Sequence, residues 1–231
     1  MTLKEIYKKI VELENLEPSK EVNELFSLLV QKAISFESSS KLSKNEINAL
    51  QLKSSDAEFA LERYWARNII LSEDHISTLK EFPYYKNYLD LTKLELNSLN
   101  SCTHHQNHKF LFVGGGPLPL TAIVLAMVYG YSCHIIDNNL EATVLSNLLI
   151  KSLSLESKIT IQHIDALEFD RYKEFNAIYI AALVGLSGNI KRKVFGQIKQ
   201  MALEGTHLIA RSSWGNRKIL YKPLSNSIIN I

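Results

Sequence analysis

A glycine-rich turn between two apolar segments constrains this chain more than any other feature. Residues 111–126 have the sequence LFVGGGPLPLTAIVLA, in which three glycines follow a short apolar run and two prolines stand where a helix would begin. The first run is typical of a buried strand, and PLTAIVLAMVYG is typical of a helix that stops at Gly130. Glycines let the backbone approach a ligand closely and adopt positive φ. The stretch therefore predicts a strand, a ligand-binding turn and a helix.

The remainder of the second half alternates between strand and helix patterns. SCHIID, KITIQH, NAIYIAAL and THLIARS are short apolar runs, whereas LEATVLSNLLIKSL and NIKRKVFGQIKQMA have helical patterns. This alternation favours βαβ units and a parallel sheet. We expect NSIINI, at residues 226–231, to begin a further edge strand. The chain would then be either truncated or naturally short at this end.

The first half shows only helical patterns. We therefore predict a helical N-terminal domain at residues 1–105 and a Rossmann-like domain at residues 106–231, joined by a polar linker. The candidate N-caps of two helices in the first half are Ser54, Ser55 or Asp56 for a long one, and Ser72 for a short one.

Composition narrows the range of partners. The net charge of +2 across 231 residues is too small to suggest a nucleic-acid groove. No apolar run reaches about 18 residues, and the N-terminus lacks the apolar core of a signal peptide, so no membrane partner is expected. Cys102 and Cys133 form no disulfide framework, which favours a reducing cytoplasm. A homodimer stays an open alternative.

The second predicted strand ends in Asp137, 23 residues after Gly114. A carboxylate there can accept hydrogen bonds from ribose hydroxyls, so we expect an adenosine-containing cofactor. Pro119 occupies the third position of the dinucleotide fingerprint and lacks an N–H for a pyrophosphate, which disfavours NAD and FAD. S-adenosylmethionine carries no phosphate, and Asp165 follows the next strand, where it could contact the adenine amine.

These features predict an α/β chain with a Rossmann-like, S-adenosylmethionine-dependent transferase fold and an N-terminal all-helical domain. The alternative is a strand-to-helix turn that binds no ligand. The candidate cofactor-binding residues are Gly114, Gly115, Gly116, Pro117, Asp137, Asp165, Ala182 and Leu183.

Four segments together resemble the nicotianamine synthase family. They are VGGGPLPLTAIVLA, AALVG at 181–185, ARSSWGNRKILY at 210–221, and EFPYYKNYLDLTKLE at 81–95, which is similar to that family's FPYY-NY block. The resemblance runs from about residue 55 to residue 222. The compact chain most resembles the bacterial opine-metallophore branch, whose members make staphylopine- or pseudopaline-like compounds.

The resemblance implies a particular alkyl transfer. The family transfers the 3-amino-3-carboxypropyl (aminobutanoyl) group of S-adenosylmethionine to an amine and releases methylthioadenosine. By analogy with the opine branch, the acceptor is expected to be histidine, as D-histidine. One alternative is an S-adenosylmethionine-dependent methyltransferase acting on a small amine, and another is a binding module with a degenerate cofactor pocket.

The acceptor amine must lose a proton before it can attack, and a carboxylate or phenol could accept that proton. Glu58 and Glu62 are four residues apart and share one helix face. If both point inward, repulsion and burial would raise one pKa toward a useful value. The resemblance implies that a glutamate and a tyrosine line the reaction chamber. Glu58 with Tyr84, and Glu62 with Tyr88, are both compatible with the spacing.

Further residues are candidates for binding the substrate. Arg211 lies at the end of the last predicted strand and could bind an α-carboxylate bidentately, and Tyr85 could hydrogen-bond the substrate. Tyr221 is a weaker candidate. The alternatives are an ion pair for Arg211, interdomain packing for the tyrosines, and a solvated glutamate face paired with Arg63 and Arg67.

The segment CTHHQNHK places Cys102, His104, His105 and His108 close together. These side chains are zinc-ligand types. The segment is nevertheless a polar linker, and no second cluster with matching spacing occurs in the sequence. We therefore expect no metal site.

Overall fold

The computed structural model describes residues 1–35, 42–103, 107–182, 184, 188–213 and 215–224. These residues fall into two compact units. The helical unit comprises Met1–Tyr64 and Arg211–Asn230, and the sheet unit comprises Trp65–Ala210.

The helical unit is built on α1 (Leu3–Glu12), α2 (Lys20–Ile34) and the first part of α3 (Lys44–Leu71). Thr2 begins α1 with a capping box that it shares with Glu5. Apolar side chains at helical spacing form the core, as their periodicity predicts. The buried members are Ile6, Ile10, Leu25, Leu29, Ala33, Leu42, Leu50 and Ile219.

Helix α3 begins well before the N-caps that we expected. Ser43 and Glu46 form a reciprocal pair at its start, with the Ser43 backbone nitrogen 2.7 Å from a Glu46 carboxylate oxygen. The expected caps Ser54, Ser55 and Asp56 all lie inside the helix, so that prediction was wrong. The S-x-x-E spacing of a capping box was present in the sequence and marks the true start.

Two shorter helices follow, α4 (His75–Lys80) and α5 (Tyr85–Cys102). Asp74, rather than the expected Ser72, is the N-cap of α4, because its carboxylate accepts a hydrogen bond of 2.9 Å from the Ser77 backbone nitrogen. The Ser72 hydroxyl instead donates back to the preceding helix. The sheet unit also contains the end of α3, from Trp65 onwards.

Among the residues that the structure describes, five parallel strands form the sheet in the order β3-β2-β1-β4-β5. This order confirms the α/β, Rossmann-like prediction, and β1 and β4 flank the point where the strand order reverses. The elements are β1 (Phe110–Val113), α6 (Leu120–Tyr129), β2 (Cys133–Asp137), α7 (Leu140–Ser152), β3 (Ile159–His163), a 3₁₀ helix (Tyr172–Glu174), β4 (Ala177–Ile180), α8 (Gly188–Met201) and β5 (His207–Ala210).

Helix α6 follows the glycine turn and is buried along residues 120–126. It packs against β2, β3 and α5, which explains why its sequence is apolar on every face. Gly130 ends it in the left-handed conformation with φ 75°, which confirms the predicted stop. Within the part of the chain that the structure describes, no helix has both the length and the apolarity to cross a bilayer.

The compact units do not follow the expected division at residue 105. Helices α4 and α5 belong to the sheet unit because α5 packs against α6. The segment after β5 belongs to the helical unit, since Ile219 is buried in the helical core. The expected edge strand at residues 226–231 lies outside the described residues.

Candidate functional site

The glycine turn leaves the carboxyl end of β1 at the point where the strand order reverses. Gly114 has φ +82°, and a β-carbon added there would lie 2.5 Å from a methyl group of Val184. A β-carbon on Gly115 would overlap the side chain of Ile135 on β2. The first two glycines are therefore required by the protein's own packing, and this packing brings the β4 end beside the turn.

Asp137, at the end of β2, closes this turn. Its Oδ2 atom accepts hydrogen bonds from the backbone nitrogens of Gly115 and Gly116, both at 2.9 Å. Its Oδ1 atom accepts a third bond, from the backbone nitrogen of Asn139, also at 2.9 Å. The carboxylate thus holds the turn in shape and links the ends of β1 and β2.

Asp165 lies just beyond the end of β3, the neighbouring strand. Its Oδ1 atom accepts a hydrogen bond of 2.8 Å from the Leu167 backbone nitrogen, and its Oδ2 atom accepts one of 3.1 Å from the Asn138 side-chain nitrogen. Because Asn138 directly follows Asp137, it joins the two predicted cofactor carboxylates. No local pattern in the sequence marks Asn138, since its role depends on the pairing of β2 with β3.

The turn after β4 completes this edge of the sheet. The Ala181 backbone nitrogen donates to the Val113 carbonyl oxygen at 3.0 Å, which places the turn beside the end of β1. The buried Lys191, on α8, donates a hydrogen bond of 2.8 Å to the carbonyl oxygen of Ala182. Pro117 is buried after the glycines. Leu183, another predicted cofactor-binding residue, lies outside the described residues.

The tyrosine block belongs to the sheet unit, around the start of α5. Phe82 packs edge-on against the rings of Trp65 and Tyr84, with centroids 5.8 Å apart in each pair. Tyr84 is 40% exposed, and Tyr88 lies one helical turn further along. Phe82 therefore anchors a segment that presents tyrosines at and near the surface, with Tyr85 as the first residue of the helix.

Glu58 lies on α3 in the helical unit and is partly buried. Burial raises the pKa of its carboxyl group, whereas a hydrogen bond from the Tyr221 side chain and the positive charge of Arg211 lower it. Burial is the largest of these effects, so the pKa of Glu58 is above its ordinary value. Glu58 thus forms one electrostatic group with two residues of the segment after β5. The sequence makes Glu58 and Arg211 candidate site residues and Tyr221 a weaker candidate.

The arginines next to the glutamates have other acidic partners. Arg63 pairs with Glu17, and Arg67 pairs with Glu141 at 3.1 Å. The alternative of a solvated glutamate face paired with these arginines therefore does not describe Glu58. Glu62 lies one turn further along α3 and is partly buried.

The described residues contain no group of three or more histidine, cysteine or acidic side chains arranged to hold a metal ion. His108 is buried, and its ring nitrogen lies 2.8 Å from the Asn100 side-chain oxygen. Cys102 is exposed at the end of α5. His104 and His105 lie outside the described residues.

The parallel sheet, its strand order and its solved structural relatives define the class of the protein as a Rossmann-like, S-adenosylmethionine-dependent transferase fold. The family model described as "Nicotianamine synthase protein" matches residues 1–229. The chain belongs to the nicotianamine synthase family, whose members use S-adenosylmethionine and transfer its aminobutanoyl group.

Curated relatives and solved structures agree with this assignment. The chain is 34% identical to nicotianamine synthase of Solanum lycopersicum, over 95% of this chain and 72% of the relative. It is 32% identical to nicotianamine synthase 2 of Arabidopsis thaliana, over 94% and 72% of the two chains.

Two solved structures of MtNAS superpose on most of the chain. The first, in complex with MTA and tNA, has a TM-score of 0.84 and 27% identity and covers 98% of this chain and 87% of MtNAS. The second is a Glu-to-Gln mutant in complex with S-adenosylmethionine, with a TM-score of 0.81 and 26% identity over 97% and 88% of the two chains.

Proposed function

We propose that this protein transfers the aminobutanoyl group of S-adenosylmethionine to the amine of an amino acid and releases methylthioadenosine. Its membership of the nicotianamine synthase family, across nearly the whole chain, is the observation that carries this proposal. In the reaction, the amine nitrogen forms a bond to the γ-carbon of the methionine arm. The bond from that carbon to sulfur breaks, and its electron pair stays on sulfur as a neutral thioether.

The carboxyl edge of the sheet unit supplies the cofactor site in this proposal. Gly114–Gly116 and Pro117 accommodate the adenosine, Asp137 accepts hydrogen bonds from the ribose, and Asp165 contacts the adenine amine. Ala182 and Leu183 stay predicted residues for a wall of the adenosine or of the methionine arm. This assignment is supported by the position of the described residues of this set, which lie at the ends of the strands. The hydrogen bonds of Asp137 and Asp165 link these strand ends.

The helical unit supplies the proton acceptor. An ammonium has no lone pair, so the acceptor amine must lose a proton to a neighbouring base as it attacks. We assign this role to Glu58, because burial raises its pKa toward the range in which a carboxylate accepts a proton from an amine more readily. Glu62, Tyr84 and Tyr88 stay predicted catalytic residues.

The acceptor in this proposal is an amino acid. Arg211, for its α-carboxylate, and Tyr85 stay predicted substrate-binding residues. Histidine, as the D-enantiomer, is the particular acceptor that we propose, with a nicotianamine-like metallophore of the staphylopine or pseudopaline type as the eventual product. The resemblance to the compact opine-metallophore branch supports this choice. Cytoplasmic location and a homodimer stay predictions.

Product analysis tests the proposal. The protein is incubated with S-adenosylmethionine and each amino-acid enantiomer in turn, and the products are identified by mass spectrometry. Methylthioadenosine together with an acceptor that has gained one aminobutanoyl group is the expected result, strongest with D-histidine. S-adenosylhomocysteine with a methylated acceptor would instead identify a methyltransferase and overturn the proposal.

A further inference from the structure

We propose that Tyr221 is a positioning residue for Glu58. The Tyr221 hydroxyl holds the Glu58 carboxylate in the orientation that accepts the proton. This inference rests on the proposed function, because it assigns Tyr221 a role that acts through the base of that reaction. Tyr221 and Glu58 both belong to the helical unit, although 162 residues separate them in sequence.

The segment that carries Tyr221 is anchored to the helical unit upstream of the tyrosine. Ile219 is 3% exposed and is part of the helical core. The Gln51 side chain on α3 donates a hydrogen bond of 2.6 Å to the carbonyl oxygen of Lys218. The Asn216 side chain donates another, of 2.9 Å, to the carbonyl oxygen of Ser35 at the end of α2. The segment is therefore fixed against both α2 and α3.

Further hydrogen bonds fix the backbone of Tyr221 itself. The Ser213 hydroxyl donates to the Tyr221 carbonyl oxygen at 2.5 Å, and the Tyr221 nitrogen donates to the Arg217 carbonyl oxygen at 3.3 Å. Downstream, the Leu224 nitrogen donates to the Ser212 hydroxyl at 3.0 Å. Because the backbone is held on both sides, the direction in which the Tyr221 side chain leaves it is fixed, and this favours a defined hydrogen bond to Glu58.

The charges around Glu58 explain what this hydrogen bond does. Tyr221 and Arg211 act on the carboxylate from the segment after β5, and Glu62 lies one turn away on α3. Burial favours the protonated acid, which cannot accept a proton, whereas the phenol and the guanidinium favour the carboxylate. Tyr221 thus favours the ionised form of the base and directs it, while burial still holds the pKa of Glu58 above its ordinary value.

Tyr221→Phe tests the inference because it removes one hydroxyl and leaves the backbone hydrogen bonds and Ile219 in place. We expect kcat at neutral pH to fall about tenfold, which matches the loss of one hydrogen bond to a charged group. The acid limb of the pH–rate profile should move to higher pH, because the Glu58 carboxylate has lost a stabilising donor. The Kd for S-adenosylmethionine should not change. Tyr7→Phe, another hydroxyl deletion in the helical unit, should leave all three quantities unchanged.

The outcomes separate this inference from the proposed function. If Glu58→Gln is inactive but Tyr221→Phe keeps the wild-type acid limb, Tyr221 does not position the base and only the inference is overturned. If Glu58→Gln is fully active, the role of Glu58 in the proposed function is overturned as well. If Tyr221→Phe lowers the melting temperature, Ile219→Val provides the comparison. This variant loosens the same anchor but keeps the hydroxyl, and an acid limb that moves equally in both variants would contradict the inference.

Discussion

The Oδ2 atom of Asp137 lies 2.9 Å from the backbone nitrogen of Gly115, and it accepts a second bond from the next residue of the turn. In nucleotide-binding turns of this kind, such N–H groups face a phosphate of the ligand. Here a carboxylate of the protein already occupies them. The turn therefore suits an adenosine ligand without a phosphate, in agreement with the use of S-adenosylmethionine by the family.

Asp137→Ala should weaken the binding of S-adenosylmethionine by about 10- to 100-fold. The substitution removes the ribose acceptor that we propose and also frees the amide groups of Gly115 and Gly116 that the carboxylate holds. Isothermal titration calorimetry measures the change in Kd. Asp170→Ala, which removes an exposed carboxylate from the same unit, is the matched control and should bind normally. Equal affinities in the two variants would exclude Asp137 from the cofactor site.

Two glycine-to-alanine substitutions should change stability in opposite directions. Gly115→Ala introduces a methyl group that overlaps Ile135 and should destabilise the protein by about 1–3 kcal/mol. Gly196→Ala lies inside α8, where the new methyl meets nothing within 4 Å, and should stabilise it by about 0.5–1 kcal/mol. Urea denaturation of both variants gives the two free energies of unfolding, and a neutral Gly115→Ala would contradict the tight packing of the turn.

Glu58→Gln should preserve S-adenosylmethionine binding and slow turnover by about 100-fold or more, because the amide cannot accept the amine proton. Glu62→Gln should have a smaller effect if Glu58 is the base. Single-turnover rates measured with saturating cofactor separate chemistry from binding. Glu24→Gln, an exposed glutamate on α2, serves as the control. Full activity in both the Glu58 and the Glu62 variants would remove the two residues from the mechanism.

Glu58 should also make folding stability depend on pH. Its folded pKa is raised above the ordinary 4.5, so the folded state binds this proton more tightly than the unfolded chain does. The resulting stabilisation is fully present below pH 4.5 and is lost as pH rises through the raised folded pKa. Glu58→Gln removes the cost of ionising a buried carboxyl group, so its melting temperature relative to the wild type should rise as the pH rises through the folded pKa of Glu58.

The difference in melting temperature between Glu58→Gln and the wild type measures the cost of ionising Glu58. Each kcal/mol of unfolding free energy gained by the variant should raise its melting temperature by about 2–4 °C for a chain of this length. The advantage of Glu58→Gln should shrink between pH 8 and pH 4, where the wild-type carboxyl becomes neutral too. Scanning calorimetry at several pH values measures this trend, and a difference that stays constant with pH would contradict the raised pKa.

Ile219→Ala should destabilise the protein by about 2–5 kcal/mol, because it leaves a cavity in the helical core. Leu52→Ala is the matched control, since Leu52 belongs to the same unit but is 52% exposed. Thermal unfolding followed by circular dichroism compares the two variants. Equal melting temperatures would show that the segment after β5 does not contribute to the helical core.

The strands and helices of the sheet unit could be predicted from the sequence because each has a local signature. The apolar runs before Gly114 and before Asp137, and the glycine stop at Gly130, depend on residues adjacent in the chain. The start of α3 was missed although its capping box at Ser43 is equally local. The longer amphipathic stretch downstream, with polar residues at Ser54 and Ser55, concealed it.

The chemical environment of Glu58 could not be predicted, because it depends on contacts between distant segments. A glutamate on a helix with nearby arginines most often pairs with them, whereas Tyr221 and Arg211 approach from the segment after β5. The hydrogen bonds of Asp137 to the turn likewise depend on strand register, which brings β2 beside β1. The sequence identifies these residues as candidates, but their hydrogen-bond and charge partners are set by the fold.

The chain enters the sheet unit after Tyr64 and leaves it after Ala210, so the helical unit is assembled from two separate stretches. On the ribosome, Ile219 emerges only after all five strands have been synthesised. The contiguous sheet unit can therefore begin to fold during translation, whereas the core of the helical unit stays incomplete until the segment that carries Ile219 has been synthesised.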